Sequence, residues 1–119
     1  MNDLKTLSSP EIDHLLISLP SLIAREEEIL GNLKSDLNEK EALYELEYSQ
    51  SINKTEKTSE DRRKAEAIIN TADIKGEILL LDRKYRAQMA EYHKLLNKNS
   101  NVVEIARNKR AEIKASIEM

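Results

Sequence analysis

The sequence predicts an all-α protein: a long antiparallel helical hairpin, coiled-coil-like, with a short N-terminal helix before it and a C-terminal helical segment after it. Three observations lead there. The 119 residues include only two glycines and two prolines, so strands and tight turns have little support. Apolar residues recur at steps of three and four along two long runs, which is helical period. Between the runs lies a polar stretch at 51–61, SINKTEKTSED, with no such spacing, and it reads as the bend.

Composition sets the thickness of the core. Charged residues make up 34% of the chain and hydrophobic ones 39%, which is low for a thick globule. The only aromatic residues of the Phe/Trp/Tyr class are Tyr44, Tyr48, Tyr85 and Tyr92. Without large rings to fill it, the interior reads as a thin seam of Leu, Ile and Ala between helices. Cysteine is absent, so disulfide and thiolate chemistry are excluded. The start lacks the basic-then-apolar pattern of a secretory signal. The longest unbroken apolar run, 78–81, falls far short of the ~18 residues that a membrane span requires. A cytoplasmic protein without membrane contact is expected.

The elements follow in order within one helical domain, 1–119. Ser9-Pro10-Glu11 is a helix start: serine caps, proline at the first helical position loses no needed hydrogen bond, and the acid suits the positive end of the dipole. Ile12, Leu15, Leu16 and Leu19 then share a face, and Pro20 ends this short helix, 9–19. The first arm, 20–56, begins at Pro20 and carries Leu22/Ile23, Ile29/Leu30, Leu33, Leu37, Tyr44, Tyr48 and Ile52 on its stripe, widened in the middle by Leu43 and Leu46. At the bend, 53–61, Thr58 begins a capping box that ends at Asp61, and Ser59 competes as the cap.

The second arm, 59–97, carries Ala65, Ile68/Ile69, Ala72, Ile74, Ile78, Leu81, Tyr85, Met89, Tyr92 and Leu96. From Ile74 the steps are nearer an eleven-residue repeat than strict heptads, favouring nearly straight packing. Small Ala65, Ala72 and Gly76 suit a close approach of the arms near the bend. Each arm would span about 55–60 Å at 1.5 Å per residue, and equal arms joined by a polar turn form an antiparallel pair. With the bend near 56, Tyr44 and Tyr48 fall level with 64–68, while Tyr85 and Tyr92 face 20–27. Asn97–Asn101, NKNSN, reads as a stop or kink, followed by a C-terminal helix at 102–118 with its own packing partner.

Net charge is −3, unevenly shared: residues 1–58 hold 6 basic and 12 acidic residues, and residues 59–119 hold 13 and 10. Mutual attraction of the arms is the simplest reading of this asymmetry. The candidate interaction surface is basic: Lys54, Lys57, Arg62, Arg63 and Lys64 at the tip, and Arg107, Lys109, Arg110 and Lys114 in the tail. Cations in the first turn of the second arm oppose the helix dipole, and Glu60 and Asp61 are the expected compensation. The tail has no interleaved aromatic residue for base stacking and shares its helix with Glu104, Glu112 and Glu118, so it supports nucleic-acid binding only weakly. The candidate packing seam is Leu30, Leu33, Leu37, Tyr44, Tyr48, Ile78, Leu81, Tyr85, Tyr92 and Leu96. His14 and His93 lie on different arms and read as ordinary helix residues rather than ligands. Glu26, Glu27 and Glu28 point in three directions and read as a solvated face.

The LPSLIA of the first arm, YELEYSQ at 44–50, SEDRRKAEA at 59–67 and the tyrosine–leucine heptads of 85–96 resemble a diffuse group of small coiled-coil proteins of tailed phages and prophages. The resemblance covers about two thirds of the chain and stops before Asn97. It implies a helical hairpin encoded near replication and recombination genes, in the cytoplasm of a bacterial host, and carries no functional residue over. A lone hairpin buries little apolar surface, so a homo-oligomer, a dimer first, or a complex with a host or phage protein is expected. The chain offers no catalytic constellation, metal site or cofactor motif, and a non-enzymatic protein with no cofactor is expected. Its expected role is protein binding by helix packing, as an adaptor, an accessory in phage DNA replication or recombination, or an inhibitor of a host factor. Alternatives are a nucleic-acid-binding accessory and a self-assembling scaffold.

Overall fold

The computed structural model describes residues 7–53 and 59–118, which form an all-α helical hairpin. One arm is α1 (Ser9–Asn53); the other is α2 (Glu60–Asn70) followed by α3 (Ala72–Glu118).

The first helix starts one residue earlier than its sequence indicates. Glu11 donates its backbone N–H to Ser8 Oγ at 3.3 Å, and Ser8 Oγ donates to Glu11 Oε1 at 2.8 Å. Ser8 rather than Ser9 is thus the cap, and Glu11 accepts from the cap's hydroxyl rather than from its backbone N–H as in a capping box. Pro20 does not end the helix: α1 runs through it without interruption. An interior proline costs about 3 kcal/mol through a lost hydrogen bond and a clash, but the stripe keeps its phase across it. Ile12 and Leu19 before Pro20, and Leu30 and Leu37 after it, are all buried. Burying side chains of this kind contributes about 1.5–3 kcal/mol each, enough to offset the local cost. No separate helix 9–19 forms.

On the second arm, Ser59 is the cap. Its φ and ψ are −61° and 154°, and its Oγ accepts from the Arg62 N–H at 3.4 Å. The rival Thr58, and most of the expected bend, lie outside the described residues. The helix breaks at Thr71, where nothing in the sequence pattern called for it. Thr71 Oγ1 donates to the Ala67 carbonyl at 2.6 Å, sharing it with the Thr71 N–H at 3.1 Å, an arrangement that bends helices. The expected stop at Asn97–Asn101 is absent: α3 passes through NKNSN, because Leu95, Val102 and Ala106 keep one phase on either side. Residues 102–118 therefore continue the second arm.

The chain divides into two compact units. In the first, Met1–Glu28 with Met89–Met119, the described residues build a contiguous apolar cluster around Ile12, Leu19 and Val102, with Leu7, Leu15, Leu16, Leu95, Ile105 and Ala106 packed against it. The partner of the C-terminal segment is thus the start of α1. The second unit, Ile29–Gln88, has a thinner seam whose buried apolar residues are Leu30, Leu37, Ala67 and Ile78. Around that seam Asn70 Nδ2 donates to the buried Ser51 Oγ at 2.8 Å, and Lys40 Nζ pairs with Glu77 Oε2 at 2.7 Å.

Candidate interaction surfaces

All ten seam candidates, Leu30, Leu33, Leu37, Tyr44, Tyr48, Ile78, Leu81, Tyr85, Tyr92 and Leu96, are buried or half-buried. The tyrosines occupy the margins of the seam, where a ring packs and a cation or acid is met. Tyr44 and Tyr48, one helical turn apart on α1, stack with centroids 5.9 Å apart. Lys75 Nζ lies 5.2 Å from the Tyr44 ring centre, and Lys34 Nζ lies 5.5 Å from that of Tyr85, within reach of cation–π attraction. Tyr92 donates its O–H to Glu27 Oε1 at 3.0 Å, and that hydrogen bond raises the phenol pKa. Glu27 is therefore more than part of a solvated face.

These contacts fix the register and correct one expectation. Tyr92 meets Glu27, at the edge of the expected 20–27 window, but Tyr85 meets Lys34 and Tyr44 meets Lys75 rather than 64–68. The arms pair about a centre near residue 59, a few residues beyond 56, since Ser51–Asn70 and Lys40–Glu77 align α1 with the later part of the second arm. The close approach near the bend also uses different residues. Ala65, Ala72 and Gly76 are exposed, and so are Ile68 and Ile69, at 60% and 72%. Fully buried Ala67 and Thr71 face inward instead. Apolar spacing points to the isoleucines, but a small residue and a self-satisfied hydroxyl permit the tighter approach.

At the basic tip, Lys54 and Lys57 lie outside the described residues. Arg62 pairs with Glu66 at 3.9 Å, and Lys64 pairs with Glu60 at 3.2 Å, both within α2. Compensation comes from Glu60, as expected, and from Glu66. Arg63 is half-buried, with its Nε enclosed and without a hydrogen-bond partner among the described residues. In the tail, Arg107, Arg110 and Lys114 are exposed, but Lys109 donates to the Leu7 carbonyl at 2.7 Å and ties the two ends of the first unit together. Tip and tail fall in different units.

The ion pair that joins the arms does not follow their charge asymmetry. Lys40–Glu77 joins them with the polarity opposite to the excess, since the base is on the acidic arm. Its hydrogen bond to Glu77 raises the Lys40 pKa. Arg86–Asp82 and Lys94–Glu91 each lie within α3.

Shallow grooves occur in both units. A polar one of about 310 Å³ is lined by Glu47, Gln50, Ser51, Asn70 and Thr71. A smaller one of about 170 Å³ lies among Ser9, Ile12, Asp13, Ala106, Lys109, Arg110 and Ile113. Among the described residues no group of three His, Cys, Asp or Glu is placed to hold a metal ion, and no helix is long and apolar enough to cross a membrane. Four residues expected on the first-arm stripe stand outside it: Leu22 is 42% exposed, Ile29 37%, Leu43 39% and Leu46 55%, because the buried seam is narrower than the apolar spacing suggests. Leu79 and Leu80, each 55% exposed, are the apolar residues that sequence reasoning missed, and their signal was their position off the stripe of the second arm.

The chain matches no protein-family model, no curated protein and no solved structure.

Proposed function

We propose that this protein is a non-catalytic interaction module, of phage type, that works in the host cytoplasm by presenting helix faces to another protein. The observation that carries the reading is the exposure of large apolar side chains in the middle of well-formed helices, above all Leu43 and Leu46 on α1 and Leu79 and Leu80 on α3. Single exposed leucines are ordinary, but pairs one turn or less apart on rigid elements form the kind of surface that a partner helix covers. Around Leu43 and Leu46 stand the exposed acids Glu39 and Glu45, which favour a partner with a basic rim. An adaptor or accessory in replication or recombination, or an inhibitor of a host factor, would work through such a face. The nucleic-acid reading draws less support, because Arg62, Lys64 and Lys109 already have partners within the chain.

The test is affinity capture of the tagged full chain from bacterial lysate, with and without nuclease, beside a Leu43→Glu/Leu46→Glu variant of unchanged helicity. One stoichiometric protein that survives nuclease and is lost with the variant is the expected result. Retention only while nucleic acid is intact would replace this reading with the nucleic-acid one, and its steep salt dependence would identify it. Recovery of the chain alone would favour the self-assembling scaffold.

A further inference from the structure

The second face of α3 is the feature that the hairpin itself leaves unexplained. Ile78, Leu81 and Tyr85 turn toward α1. On the opposite side Ala72, Gly76, Leu79/Leu80, Arg83 and Ala87 follow at steps of three and four, and all are exposed. One helix thus carries two apolar stripes, and only one is covered within the chain.

Gly76 gives the second stripe its meaning. Glycine is a poor residue for a helix interior, and nothing in this fold demands it. A Cβ built there meets nothing within 4 Å. Its φ is not positive, so no backbone conformation requires it either. Gly31 is equally open, so a helical glycine by itself calls for nothing; at 76 it lies within an exposed apolar stripe, where it leaves room for something from outside to approach the backbone closely.

We propose that this something is a second copy of the chain, docked antiparallel on the same face of α3 about a two-fold axis near Ile78. The proposal rests on the interaction-module reading and names one partner for it. The stripe is self-complementary in that register. Leu80 of each copy falls level with Gly76 of the other, so that a large side chain enters the gap left by a missing one, twice. Arg83 of each copy falls level with Asp73 of the other. Both are exposed, and among the described residues neither has an ion-pair partner.

Sedimentation of the full chain across micromolar concentrations tests this. A dimer is expected for the natural sequence, and a monomer of unchanged far-ultraviolet circular dichroism for Leu80→Glu. If that variant loses helicity, Gly76→Glu, which adds a side chain into open space within one chain, decides in its place. Arg83→Asp should weaken association roughly tenfold, as the loss of two exposed ion pairs at once would, and adding Asp73→Arg to it should restore it. Because the chain has no cysteine, a single spin label at Ala87→Cys reports the register: the antiparallel dimer separates two labels by about 27 Å along the axis. A monomeric natural chain, a dimer indifferent to both Leu80→Glu and Gly76→Glu, or labels in near contact would each overturn the proposal. A monomer that still captures a protein through Leu43 and Leu46 would overturn self-docking alone, whereas a dimer that captures nothing would overturn only the capture of a foreign partner. Loss of a captured protein with Leu80→Glu in a monomeric chain would assign the face to that protein instead.

Discussion

The two units solve the same problem with different materials. Where the ends of the hairpin meet, nine apolar residues from Leu7 to Ala106 close a continuous cluster, and Ile12, Leu19 and Val102 are almost wholly enclosed. The unit Ile29–Gln88 has a seam punctuated by polar contacts: Ser51 with Asn70, Lys40 with Glu77, and lysines over the Tyr44 and Tyr85 rings. Seven of its large apolar residues, from Ile29 to Leu80, stand exposed. A clustered core stabilises one chain by itself, while a polar seam specifies register and leaves apolar surface for others. On the function proposed above, the first unit holds the chain together and the second meets the partner, although Ile17, Leu22, Ile113 and Ile117 of the first unit are exposed as well.

The sharpest way to break that assignment is Leu19→Ala. Loss of a fully enclosed leucine should cost about 3 kcal/mol, read as a lower urea midpoint at unchanged slope, with a faster exchange of amides in residues 9–28 and 89–110. If the amides of 29–88 responded equally, the two units would be one cooperative body and the division would fail. Next in size, Ser51→Ala removes the hydroxyl that Asn70 donates to and should cost about 1 kcal/mol, confined in hydrogen exchange to the second unit. Gly31→Ala should act the other way. A Cβ there meets nothing within 4 Å, so helix stability should rise by up to about 1 kcal/mol, read as a higher melting temperature without change in oligomeric state.

The smallest effect is on alkaline stability, and it probes one contact in each unit. Lys40 and Tyr92 both have folded pKa values raised above their ordinary 10.5 and 10.0, the first chiefly by its hydrogen bond to Glu77 and the second chiefly by its hydrogen bond to Glu27. A raised folded value means that the protonated form is favoured by folding. The stabilisation is then complete below the ordinary value and is lost as pH rises through the folded one. Melting temperature should fall above about pH 10, and Lys40→Gln and Tyr92→Phe should each flatten part of that fall. Both side chains are half-buried and their polar ends reach solvent, so salt should reduce the difference. An alkaline slope identical in the natural chain and the double variant would remove these contacts from the account.

Much of the hairpin was legible before any coordinates, because helical period and the scarcity of breakers are local properties. The stripe from Leu30 to Tyr48 and that from Ile78 to Leu96 lie inward as their spacing indicates. Breaks were not legible. Pro20 and NKNSN look like stops residue by residue, and Thr71 looks like nothing, yet the helix passes the first two and breaks at the third. Whether a helix survives a poor residue depends on whether the apolar stripe keeps its phase against the opposing helix, and that is a property of the pair. The basic candidates show the same limit. Lys109 reads as a free cation until the fold brings the Leu7 carbonyl to it.

By itself, then, the sequence determined the helical class, the two arms, the thinness of the seam and which face turns inward along 30–48 and 78–96. All of these follow from backbone propensity and from the three-and-four spacing of apolar side chains. Tertiary structure decided the register, the break at Thr71, the division into a closed apolar unit and a polar one, and which leucines stay outside. Each depends on which residues fall opposite one another, and a thin seam leaves that choice to a few contacts, Ser51 with Asn70 and Lys40 with Glu77 among them.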